Sequence, residues 1–175
     1  MLSTLFKSRP ARAAGEALYG SIAAQAREPG FYLALGVPDR IDARFELYSL
    51  HLAIVLERLA GQGEEAEEIA QAALDAYVRS LDDVLREVGI GDLSMAKKMK
   101  AVASLLMGRL KGVRDALSPP DEKALAQFIG RTVYAEAGES ADPAPLAAYV
   151  VHAYAALAGQ PLKDILLGRP AWPKP

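Results

Sequence analysis

Apolar side chains recur at helical spacing through most of the chain, and the densest run lies near residues 40–60. Phe45, Leu47, Tyr48, Leu50, Leu52, Ile54, Val55, Leu56 and Leu59 would cover almost the whole circumference of a helix. A helix that is apolar all round is surrounded by other elements. At about 1.5–3 kcal/mol for each large side chain buried, this helix dominates the stability of whatever fold forms. Asp39 or Asp42 is placed to cap it, and Gly61 and Gly63 to stop it.

The flanking segments read as partners for that helix. Leu18, Ile22 and Ala26 share one face of a first helix over about 11–27, opened by Pro10 and closed by Pro29-Gly30. FYLALGVPD is a short apolar turn that packs Phe31, Tyr32 and Leu35 on the core. A third element, about Glu64 to Val88, has an acidic first turn and an inner stripe of Ile69, Ala72, Ala73, Ala76, Val78, Leu81 and Leu85. A fourth starts near Ser94, with Met95, Met99, Val102, Leu105, Leu106 and Leu110 facing inward. At least two of its three methionines, Met95, Met99 and Met107, are expected in the core. Ser118-Pro119-Pro120-Asp121 ends that helix and caps the segment DEKALAQFIGRTVYA. PLAAYVVHAYAAL and LKDILLG follow, then the tail RPAWPKP. No segment alternates at period two over strand length. The fold class is all-α: a single compact bundle of six to seven helices around the central one, with residues 1–10 as a flexible N-terminus, 11–170 as the domain and 171–175 as a tail.

Composition narrows the chemistry. A chain of 175 residues, 51% of them hydrophobic, is long enough to bury roughly 70% of the surface its unfolded form exposes. It contains no cysteine, which removes disulfides and thiolate chemistry together. A formal net charge of −2 argues against DNA or general nucleic-acid binding and leaves room for a local basic face. No apolar run reaches the ~18–20 residues of a membrane span. The start, MLSTLFKSRPARAAGEAL, has basic residues but no continuous apolar h-region, so it reads as a frayed terminus, with a short amphipathic transit peptide or surface anchor as the alternative.

Charge is distributed unevenly about one turn. From Glu64 to Asp92, nine acids are offset only by Arg79 and Arg86; from Ser94 to Arg114 there are six basic residues and no acid. A hairpin with one acidic and one basic arm has a dipolar surface that steers partners. Gly89-Ile90-Gly91 before the second arm resembles half of a phosphate-binding glycine motif. It lacks the third glycine and a preceding strand, and Asp92 would repel a phosphate. A tight turn that lays the arms antiparallel accounts for it. Asp82–Arg86 and Arg79–Asp83 stand at i,i+4, so ordinary ion pairs explain these charges better than an acid/base pair does. The two histidines, His51 and His152, have no ExxH or HxxxH spacing. Di-iron and zinc sites therefore lack ligands, and His51 reads as a hydrogen-bonded core residue. GxSxG is absent. No metal and no cofactor is expected.

Two blocks carry a resemblance. REPGFYLALGVPDRIDARFELYSLHLAIVLERL, Arg27 to Leu59, and LREVGIGDLSMAKKMKAVASLLMGR, Leu85 to Arg109, resemble the ubiquinol–cytochrome c chaperone family through GVPD…RFEL…LH and LRE-G-GD…KK. The likeness runs from about Glu16 to Pro170. Arg40, Ala43, Val88 and Val113 depart from the family's usual residues. The resemblance implies a non-enzymatic, all-α assembly chaperone that holds newly made cytochrome b during assembly of the ubiquinol–cytochrome c reductase complex. It further implies the ribosome exit region and the inner-membrane surface as additional partners. The compact chain without a long presequence suggests a bacterial, cytoplasmic member, peripheral to the inner membrane. Partner-binding candidates are Arg44, then Asp82, Asp83, Arg86, Glu87 and Asp92 on the acidic side, and Lys97, Lys98, Lys100 and Arg109 on the basic side, with Gly89 and Gly91 as the structural turn. The rival readings are a helical enzyme acting on a prenyl or quinone-like lipid and a ribosome-docking module. The first lacks a DDxxD-type magnesium motif, since Asp82-Asp83 is followed by Val84-Leu85-Arg86.

Overall fold

The computed structural model describes residues 9–87, 92–138 and 141–175. Among them the chain forms eight helices: α1 (Arg9–Gln25), α2 (Pro29–Leu33), α3 (Ile41–Leu59), α4 (Glu64–Glu87), α5 (Asp92–Leu117), α6 (Glu122–Thr132), α7 (Ala144–Ala158) and α8 (Leu162–Leu166). No strand occurs among these residues. The expected six to seven helices become eight because the FYLALGVPD turn contains one helical turn, α2, which buries Phe31.

Helix α3 is the axis. From Leu47 to Val55 every residue except Tyr48 is buried, with α1, α4, α5 and α7 packed around it. The hydrophobic driving force places it there. Neither Asp39 nor Asp42 caps it, contrary to expectation. Arg40 occupies the N-cap position without a side-chain cap, because both aspartates are held by arginines, Asp42 by Arg40 and Asp39 by Arg44. At the other end Arg58 donates to the carbonyls of Leu157 (2.9 Å) and Gln160 (3.1 Å). Its cation thereby sits at the C-terminal end of α7, where the helix dipole favours positive charge. Asp121 caps α6 as its sequence position predicts, accepting from the Ala124 N–H at 2.9 Å.

The acidic and basic arms take different neighbours. Helix α4 lies chiefly along α1, whereas α5 lies chiefly along α3, and the two arms touch each other little. The α1–α4 approach is close because Gly15 has no Cβ. One built there would collide with the Ala72 methyl and come within 2.7 Å of the Ala72–Ala73 backbone. This packing also corrects one ion pair. Arg79 reaches across to Glu16 on α1 (3.3 Å) instead of Asp83, because α1 brings a carboxylate to it. Met95 is buried, Met99 is half-buried and Met107 is exposed. Leu105, expected inward, is also exposed.

His51 lies wholly buried at the back of α3, as a core histidine should. Its Nδ1–H donates to the Leu47 carbonyl (2.8 Å), and its Nε2 accepts from the Tyr149 hydroxyl (3.0 Å). That hydroxyl in turn accepts from Gln25 (3.0 Å). Burial lowers the His51 pKa to about 4, against a smaller opposing effect of the Leu47 bond. The imidazole is therefore neutral, which this chain of donors and acceptors requires. The C-terminal tail completes the enclosure. Trp172 meets His51 edge-on and donates to Ser21 (3.1 Å), Gln25 donates to the Pro173 carbonyl (3.0 Å), and Gln160 exchanges two hydrogen bonds with Ala171.

Candidate functional site

Because α4 follows α1 and α5 follows α3, a groove of about 670 Å³ opens between α3, α4 and α5. Ile41 and Phe45 line it from α3, Leu81, Val84 and Leu85 from α4, and Val102 and Leu105 from α5. Ile41 is 69% exposed, Val84 41% and Leu105 42%. Three large apolar side chains left in water on one concavity mark an interaction site better than scattered ones would. A second hollow of about 260 Å³ shares Ile41, Phe45, Leu81 and Val84 with it and continues towards Tyr19, Arg27, Arg44, Tyr48, Tyr77 and Ser80.

Of the two acids lining the groove, Asp42 and Glu46, it is Glu46 that is buried. It lies on the core helix α3, and the Nε of Arg109 spans both its oxygens at 2.9 and 2.7 Å. A buried carboxylate must be paired. Arg109, one of the predicted partner-binding residues, therefore ties α5 to α3 through its Nε, with its side chain 25% exposed. Other carboxylates at the rim are held too: Asp42 by Arg40 (3.2 Å), Glu136 by Arg40 (2.7 Å) and Asp39 by Arg44 (2.7 Å).

The predicted partner-binding residues fall into three sets. Arg44 stands at the groove's second hollow. Asp82, Asp83, Arg86 and Glu87 line the far end of α4; Arg86 holds Asp82 at 2.8 Å, as its i,i+4 position predicts, and Asp83 and Glu87 are exposed. Lys97, Lys98 and Lys100 are exposed on the first turns of α5, and none pairs with a described carboxylate. Gly89, Gly91 and the side chain of Asp92 lie outside the described residues. Among the described residues no group of three or more His, Asp or Glu side chains is placed to share a metal ion, and no helix is long and apolar enough to cross a membrane.

Sequence reasoning missed the groove-lining set Ile41, Val84 and Leu105, and also Glu46. The signal was present for two of them. Val84 stands off the inner stripe of α4, and an acid inside RFELYSLHLAIVLERL demands a buried cation elsewhere.

The comparisons agree with this architecture. The family model described as Ubiquinol-cytochrome C chaperone matches residues 33–172, a span that includes α3, α4, α5 and the whole groove. No curated protein matches the chain. Among solved structures, the crystal structure of the Cbp3 homolog from Brucella abortus is similar with a TM-score of 0.85 and 31% identity, over 99% of this chain and 97% of that one. The chain belongs to the ubiquinol–cytochrome c chaperone family.

Proposed function

We propose that this protein is a non-enzymatic chaperone for assembly of the ubiquinol–cytochrome c reductase complex, and that it holds an apolar helix of newly made cytochrome b in the groove between α3, α4 and α5. The carrying observation is the groove itself, an apolar trough walled by Ile41, Val84 and Leu105 in a member of this family. A helix laid in such a trough offers its i, i+3, i+4 and i+7 side chains as anchors. The groove's carboxylates are clamped by arginines, an arrangement that fixes shape and steers charge but does not favour proton transfer. The acids at the end of α4 and the lysines at the start of α5 supply charge for the client's polar flanks. The lysines also form the surface that would meet a ribosome or an anionic membrane.

Photo-crosslinking tests this reading. A photoreactive side chain at Ile41 or Val84 is expected to form an adduct with cytochrome b in membranes assembling the complex, and one at Leu33, exposed on α2, is not. Absence of any cytochrome b adduct from the groove positions would remove the client from this site. Deletion of the gene is expected to abolish the assembled complex and leave other respiratory complexes intact.

A further inference from the structure

The groove has two chemically different ends. Its main trough is mostly apolar, with Asp42 and Glu46 both tied to arginines on the α3 side, whereas the hollow that continues it is lined by two arginines, three tyrosines and no carboxylate. Arg27 sits over the Tyr48 ring at 5.7 Å and pairs with no described carboxylate. Arg44 engages Asp39 through Nε and Nη2 and keeps Nη1 for another acceptor. The Tyr77 ring, stacked between Phe45 and Tyr48, floors the hollow. Ile41, Phe45, Leu81 and Val84 belong to both parts, so the apolar path leads without interruption to the two guanidiniums.

We propose that this site binds a single-chain acyl anion, with the hydrocarbon along Ile41, Val84 and Leu105 and the carboxylate at Arg27 and Arg44. A planar guanidinium matches a carboxylate in geometry as well as charge. An alkyl chain gains from every apolar atom of the trough removed from water. The rim decides between a monomeric amphiphile and a bilayer. Asp39, Asp42 and Glu136 around the mouth are paired with Arg40 and Arg44, so the rim offers no broad cationic face of the kind an anionic membrane surface needs, whereas one chain can enter between them. The inference is independent of the client: an acyl chain and a client helix would compete for the same walls.

Calorimetry on the purified chain with dodecanoate below its micellar concentration tests it. Saturable one-to-one binding is expected, roughly tenfold or more tighter than dodecanol, with dodecyltrimethylammonium weaker still. The double variant Arg27→Gln/Arg44→Gln should bind dodecanoate no better than dodecanol. Val84→Glu should abolish binding of both while retaining the helical circular dichroism of the parent. Leu105→Glu, on the opposite wall, serves the same purpose if Val84→Glu does not fold. Equal binding of dodecanol, a preserved carboxylate preference in the arginine variant, parent-like binding by a folded groove variant, or binding to anionic vesicles without binding of dodecanoate would each overturn the proposal. No client is present in these measurements, so their failure leaves the chaperone reading to its own crosslinking test.

Discussion

Replacing Arg109 with methionine isolates what holds the groove's floor together. Arg109 is the described cation at Glu46, with its Nε 2.7 Å from one carboxylate oxygen and 2.9 Å from the other. The Glu46 side chain is 9% exposed and that of Arg109 25%. Breaking a buried pair from one side costs about 3–5 kcal/mol, because the remaining charge is stranded. Here the carboxylate borders an open groove and water can reach part of it, so the lower end, about 3 kcal/mol, is the expected loss. For a chain of this length that corresponds to a melting temperature lower by roughly 6–12 °C. The double variant Glu46→Leu/Arg109→Met removes both charges and is expected within about 1 kcal/mol of the parent, since apolar replacements of a buried pair are often neutral. Thermal and urea unfolding of the parent, both single variants and the double variant close the cycle. If Arg109→Met melts with the parent, or the double variant is as unstable as the single, the pair is not the tie between α3 and α5 described above.

Three further outcomes are expected. His51 has a folded pKa near 4 against an ordinary value of about 6.5, so the unfolded chain binds more protons between those values. Its contribution is fully present above about pH 6.5 and is lost as pH falls towards about 4, by an amount of the order of 3 kcal/mol. His51→Gln should flatten that part of the stability profile, and parallel profiles would refute it. Gly15→Val should lower stability by about 1–3 kcal/mol through the collision with Ala72, and an unchanged urea midpoint would show that α1 and α4 separate without cost. Changing Lys97, Lys98 and Lys100 together to glutamine should leave the melting temperature unchanged or slightly raised, because cations at a helix start oppose the macrodipole. Association with the client or ribosome should weaken, and the deficit should shrink with added salt; a well-lowered melting temperature would place these lysines in internal pairs.

Local signals carried much of the fold. The glycine stop after α3, the Asp121 cap and the first half of the α4 stripe (Ile69, Ala72, Ala73 and Ala76) are short-range features found where their spacing predicts, whereas Leu81 and Leu85 from its second half line the groove. The burial of His51 was legible because it sits within the apolar run Leu50 to Leu56 of the core helix, with Leu50, Leu52, Ile54 and Val55 around it. Periodicity could not show the groove. It reports that a side chain faces inward, not whether another element arrives to cover it. Leu105 illustrates the difference: it stands beside Leu106 near the inner stripe, yet it is exposed because α4 turns to α1 and leaves that side open. The partner of Arg79 failed for the same reason, since i,i+4 spacing knows nothing of Glu16 on a neighbouring helix. Trp172 is a third case, a core-facing residue in a segment with no helical pattern to announce it.

The strap formed by the tail has a consequence in time. Gln25 and the Pro173 carbonyl that it holds are 148 residues apart, and Ser21 and Trp172 are 151 apart. At roughly 5–20 residues per second of synthesis, α1 exists for about 7–30 seconds before the residues that close over it have been made. Once α3 has been made, its histidine stays uncovered on one side until Tyr149 and Trp172 follow. A protein that shelters the unfinished helices of another would thus begin its own life in need of shelter, and pulse-labelled chains should be protease-sensitive at α1 until Trp172 is in place.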